Sequence, residues 1–230
     1  MFAAIEMELD LNANGTKCSV FVNTGGTVTT SGTCTNLTTS LSGGDHGQLT
    51  VGTKTGKTFG GIVFTDTAQG HGFVAPPQLQ DVNQTQATSS SATGTFTTLF
   101  TDTDVVPATP QFAITTTFNA ISKAGTADFF AYNSKDKPGD IDILPAAHLI
   151  GKTMGEAGPV TSNSNIYLDP DPGAPYSLTT QLVIHFVKRS QVVTASQQIA
   201  AFGVPEPGSI VLMGTMLLLS GAGLRRKLKR

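Results

Sequence analysis

The chain has 230 residues, is 13% charged, carries 14 Lys and Arg against 16 Asp and Glu, and contains no Trp. That length holds one large β domain or two small ones, each able to bury a core. Five of the basic residues lie beyond position 224, so residues 1–204 carry nine basic groups against fifteen acidic ones, a balance that repels phosphate backbones and excludes nucleic acid as a partner.

Thr, Ser, Val and Gly dominate, and the body shows no sustained apolar spacing of helical period. Short β-branched and aromatic runs bounded by Gly, Asn, Asp and Pro predict strands instead. The first, Ile5–Leu11, alternates: Ile5, Met7, Leu9 and Leu11 share one face, and Glu6, Glu8 and Asp10 the other. Ser19–Val22 and Thr27–Thr30 follow, with Asn23-Thr-Gly-Gly26 between them as a hairpin signal. Further strands are predicted at Leu49–Val51, Thr58–Thr65, Asp81–Ala87, Gly94–Thr101, Gln111–Phe118, Thr126–Tyr132, Ser177–Val187 and Val192–Ala200. Within the penultimate one, Leu182–Val187 reads as apolar on both faces and hence central. About ten strands with turn-rich links predict an all-β fold, an antiparallel two-sheet sandwich of jelly-roll or immunoglobulin-like kind. A parallel sheet would need crossover helices, and no repeat of solenoid period is present.

Cys18 and Cys34 are the only cysteines. Their spacing suits a disulfide across a hairpin or between neighbouring strands in an oxidising compartment, or two unpaired thiols. No CxxC pair exists and His46, His71, His148 and His185 are scattered, so a metal site built on Cys or His is not expected. Carboxylates cluster as Asp102 with Asp104, then Asp136, Asp140 and Asp142, then Asp169 and Asp171. Loop aspartates so spaced can hold Ca²⁺, although none matches the 12-residue Ca²⁺ loop and Asp is an ordinary turn residue. No other cofactor is expected.

Val51-Gly-Thr-Lys-Thr-Gly-Lys-Thr58 approaches a phosphate-binding loop, but Val51 stands where Gly is required, and a polar hairpin turn is the better reading. A catalytic triad finds no Gly-x-Ser-x-Gly elbow. His185 lies inside the most apolar strand, while His46 and His71 sit in Gly-rich turns whose flexibility opposes fixed catalytic geometry. The protein is therefore expected not to be an enzyme. Asn14, Asn36 and Asn83 open short sequons that recur by chance.

The carboxyl terminus is different. Ile210–Leu224 is uncharged, with Ile210, Leu212, Leu217, Leu218, Leu219 and Leu224 among its apolar residues. As a helix it spans roughly 22 Å, short of the roughly 30 Å hydrocarbon core. The basic cluster Arg225, Arg226, Lys227, Lys229 and Arg230 marks a cytoplasmic end, which places the body outside the membrane. On the other side Pro205 and Pro207 keep Val204–Pro207 extended.

The order Val204, Pro205, Glu206, Pro207, Gly208, Ser209, then the apolar helix, then the basic terminus, resembles the PEP-CTERM sorting signal. The resemblance implies that Pro205, Glu206 and Pro207 form the recognition triplet for an exosortase, that residues 210–224 insert transiently in the membrane, and that residues 225–230 stop transfer. It divides the chain into a β-sandwich ectodomain, 1–203, and a sorting segment, 204–230. The body, in Phe73–Asn83, Leu99–Asp104 and Ser177–Ile184, also resembles uncharacterised ectodomains carrying that signal, which have no assigned activity. Such proteins need an export leader, and residues 1–15 lack a basic and apolar one, so a start assigned too late or an omitted leader is expected.

The expectation is thus an exported protein of a Gram-negative bacterium, held in the inner membrane, processed by an exosortase, and placed at the cell surface or in extracellular polysaccharide as a structural or adhesive component. A glycan-binding module is the alternative, and a secreted hydrolase a third.

Overall fold

The computed structural model describes residues 5–70, 79–89, 93–105, 111–120, 126–134, 149–155, 161–168, 176–187 and 189–202. Every regular element among them is a strand: β1 Ile5–Ala13, β2 Thr16–Asn23, β3 Thr27–Gly32, β4 Leu37–Ser42, β5 Gln48–Thr53, β6 Ile62–Gln69 and β7 Leu79–Ser89. The second half adds β8 Gly94–Val105, β9 Gln111–Ala120, β10 Thr126–Ser134, β11 Leu149–Gly155, β12 Thr161–Leu168, β13 Tyr176–Phe186 and β14 Val192–Phe202. They pair antiparallel in two sheets, β11-β10-β13-β8-β1-β2-β3 and β12-β9-β14-β7-β6-β5-β4. No helix among the described residues is long and apolar enough to cross a membrane. Residues 204–230, with the sorting motif, apolar segment and basic cluster, lie outside the described residues, as do Asp136, Asp140, Asp142, Asp169, Asp171, His71 and His148.

The sheets pack through alternate residues of each strand. Met7, Leu9, Leu11 and Ala13 of β1 face Phe96 and Phe100 of β8, and Leu49, Val51, Ile62 and Phe64 from the second sheet complete the core. Phe64 lies 4.7 Å from Phe96 and 5.9 Å from Phe59, centroid to centroid. Each such ring removed from water contributes roughly 1.5–3 kcal/mol.

Several expectations are corrected. The strand expected at Thr58 begins instead at Ile62, because Phe59 and Ile62 exchange two backbone hydrogen bonds around Gly60 and Gly61, both with positive φ. That two-residue turn closes the hairpin before β6 starts. A Cβ at Gly60 would lie 1.9 Å from the Ala13 carbonyl oxygen, so only glycine fits. β4, β11 and β12 were not expected. β4 is an exposed edge strand of Thr and Ser around Leu37 and Leu41, with too little apolar alternation to be read.

β13 is central, between β8 and β10, yet not apolar on both faces. Leu182, Ile184 and Phe186 are buried, Val183 and His185 only partly, and Val187 is 50% exposed. Asp102 and Asp104 are not loop residues: both lie in β8. Cys18 and Cys34 form a disulfide, Cα–Cα 5.2 Å, tying β2 to the link between the sheets.

Candidate functional site

The acidic face of β1 is the least expected feature. Alternation predicted one face in the core and one in water, yet Glu6, Glu8 and Asp10 are 7%, 2% and 8% exposed. The reason is β1's place: β2 and β8 flank it, and the outer face of this sheet carries bulky residues in register. One row across the strands runs Phe21, Glu8, Thr101, Thr179, Tyr132. The next runs Ser19, Asp10, Leu99, Gln181, Phe130. Cross-strand neighbours on one face stand within side-chain reach, which gathers both carboxylates, an amide, four hydroxyls and three aromatic rings.

Contacts within the face bear this out. Thr101 and Thr179 hydroxyls lie 3.0 Å apart. Tyr132 donates its phenolic hydrogen to Gln181 Oε1 at 3.1 Å, and its ring stacks on Phe130, planes 17° apart. Burial raises the Tyr132 pKa, which keeps the phenol protonated as a donor. Phe21, Ser19, Gln181 and Phe130 are partly exposed and form the accessible rim; Glu8, Asp10, Leu99, Thr101, Thr179 and Tyr132 are buried behind them.

A second cluster closes one end of the sandwich. His46, in the turn between β4 and β5, places Nδ1 2.8 Å from Asp102 Oδ1 and Nε2 3.5 Å from Glu6 Oε2. Burial lowers its pKa, but the Asp102 hydrogen bond and the charges of Asp102, Glu6 and Asp45 outweigh that and raise it overall. Thr24 donates to Glu6 Oε1, and Thr103 donates to the Glu6 carbonyl at 2.9 Å. Flexibility of the Gly-Asp-His-Gly turn, inferred from its glycines, is thus overturned: two carboxylates fix the imidazole. Asp102, a Ca²⁺ candidate, is fully buried and committed to His46. Among the described residues no group of three or more His, Cys, Asp or Glu is arranged to hold a metal ion.

Other expected sites take ordinary places. Residues 51–58 run from the end of β5 into the β5–β6 connection, where the Lys57 amide donates to the Lys54 carbonyl. His185 lies on the sheet surface 3.4 Å from Asp128. The Asn14 side chain donates to the Gly60 carbonyl at 2.7 Å, and that of Asn36 to the Thr58 carbonyl at 3.1 Å, so both sequon amides are already engaged.

The outer face of the second sheet is unlike the first. In register across seven strands stand Ser40, Thr50, Thr67, Gln84, Ser196, Thr117 and Ser162. Beside them run Thr38, Gly52, Thr65, Gln86, Thr194 and Asn119. No Lys, Arg, Asp or Glu occurs in either row.

Neither a family model nor a curated protein matches the chain. Solved structures with similar architecture include the carbohydrate-binding module TmCBM61 in complex with β-1,4-galactotriose, at 6% identity and TM-score 0.32, over 52% of this chain and 69% of that one. The CBM22-1 xylan-binding domain from Paenibacillus barcinonensis is 12% identical, TM-score 0.29, over 62% and 87%. The family 11 module from Clostridium thermocellum, in complex with a mixed-linked tetrasaccharide, is 9% identical, TM-score 0.29, over 75% and 91%. Likeness at these identities and scores carries nothing about ligands. The described part of this chain is an antiparallel two-sheet β-sandwich, and its site rests on its own residues.

Proposed function

We propose that the β-sandwich is a glycan-binding module, and that polysaccharide lies across the outer face of the first sheet. The observation that carries this reading is the stacked Tyr132–Phe130 pair beside Gln181, in register with the Thr101 and Thr179 hydroxyls. Sugars present apolar C–H faces and hydroxyl edges together. Aromatic rings take the first, and amides, hydroxyls and carboxylates take the second. Glu8 and Asp10 add acceptors between the two aromatic ends of the rows.

Titration calorimetry with a panel of soluble oligosaccharides tests it. At least one should bind, and Tyr132→Ala or Phe130→Ala should weaken it about tenfold while the fold, followed by circular dichroism, is kept. Absence of binding by every glycan class would contradict the reading.

The module belongs, in this account, to an exported protein. The Cys18–Cys34 disulfide favours an oxidising compartment. The Val204–Ser209 motif, apolar segment and basic end favour temporary retention in the inner membrane and cleavage by an exosortase, with release to the surface or the polysaccharide matrix. Mass spectrometry of the mature protein from cells should find a terminus near residues 204–207. A terminus still at Arg230 would contradict the processing step.

A further inference from the structure

Glu8 and Asp10 are two residues apart on β1 and share its outer face. Glu8 Oε2 and both oxygens of Asp10 are buried without a hydrogen-bond donor. An unpaired buried acceptor is destabilising, and more so when charged. Satisfied carboxylates would need nothing further; these three buried oxygens, on a face that also carries hydroxyls and rings, have no donor among the described residues.

Among the described residues no Lys or Arg forms an ion pair with them. Lys17, further along β2, is exposed and pairs with neither carboxylate. Asp128 of β10 and His185 of β13 face each other. Lys152 stands at the β11 register position beyond Phe130. Burial first, and then the neighbouring Asp10, push the Glu8 pKa up to about 8. Burial raises Asp10 to about 6, against the lowering effect of Ser19 and Glu8. When ionised, the pair has no counter-charge among the described residues.

We propose that the Glu8–Asp10 pair receives the ammonium group of an amino sugar, so that the polysaccharide held on this face bears free amines. This rests on the glycan reading above and names its substrate class. An ammonium brings a positive charge and three N–H donors to three open oxygens, whereas a sugar hydroxyl brings one donor and no charge. A uronate would bring a like charge to the pair. Charge-assisted hydrogen bonds to buried carboxylates contribute about 1.5–3 kcal/mol, a preference of about ten- to hundredfold.

The test is calorimetry of the full chain at mildly acidic pH with three probes of equal length: a glucosamine oligomer, its N-acetylated counterpart and a glucose oligomer. The glucosamine oligomer should bind at least about tenfold tighter than the other two. Its binding should release a proton from Glu8, read as a heat that changes with the ionisation enthalpy of the buffer. Glu8→Gln and Asp10→Asn should each remove the preference for the glucosamine oligomer over the other two probes. Thermal shifts of the unmutated chain with each probe give the same comparison if a variant does not fold. Equal affinity for all three probes, or a preference that survives both substitutions, overturns the amine assignment and leaves the glycan reading standing. If none of the three binds and no other oligosaccharide does, both fall.

Discussion

The two outer faces of this sandwich are built from the same backbone and could hardly differ more in chemistry. The first sheet sets Glu8, Asp10, Gln181 and three aromatic rings into two adjacent rows, with two carboxylates almost out of water. The second sheet offers rows of Thr, Ser, Gln and Asn with no charge at all. Buried carboxylates without donors destabilise the free protein, and groups of that kind cluster at functional sites. On the proposed reading, recognition belongs to the first sheet and not to the second.

The largest effect expected from perturbing this contrast lies between the two faces, at Asp66 of β6. It is fully buried, accepting hydrogen bonds from Thr85 at 2.9 Å and from Thr98 of the opposite sheet. Burial, only partly countered by those hydroxyls and the Thr67 amide, raises its pKa to about 7. The folded state therefore binds a proton that the unfolded state has already lost above about pH 4, and stability falls as pH rises from there to about 7. Glu8 and Asp10, also raised, act in the same direction up to about pH 8 and 6. The raised His46 adds stability present below its ordinary value of about 6.5 and lost as pH passes its folded value. Denaturant unfolding should thus give higher stability near pH 5 than near pH 8, and Asp66→Asn should shrink that difference by roughly 2–3 kcal/mol.

Opening the disulfide comes next. Cys18→Ser with Cys34→Ser should lower stability by roughly 3 kcal/mol, read as a lower denaturation midpoint, without altering glycan affinity. On the first face, Glu8→Gln should stabilise the free protein above neutral pH by about 1–2 kcal/mol, because an amide donates to Asp10 and carries no charge to bury. The gain in stability should accompany loss of the amine preference, a trade expected only of a binding residue. The smallest effect belongs to the second face: Thr65→Lys and Thr67→Lys should change stability by no more than about 0.5 kcal/mol and leave glycan binding unaltered.

Much of this fold is legible in the sequence. Ile5–Leu11 alternates, Asn23–Gly26 closes a hairpin with Gly25 and Gly26 at positive φ, and repeated short apolar runs require a two-layer β core. The site is less legible, because its neighbours are distant in the chain. Period-two alternation places Glu8 opposite Leu9 but says nothing of Thr101, Tyr132 or Gln181, brought beside it only through the β1–β8–β13–β10 order. A sharper signal was present: three carboxylates on one strand with no Lys or Arg among Ile5–Leu11 to offset them. His46 was misread for the same reason, since Asp102 lies 56 residues away.

The central claim, recognition by the first sheet's outer face, is tested most directly by mapping amide chemical-shift changes during titration with a bound oligosaccharide. Shifts are expected at Glu8, Asp10, Thr101, Thr179, Gln181 and Phe130, with Thr50, Thr65, Thr67 and Ser196 unmoved. Shifts confined to the second set, or to neither face, would contradict it.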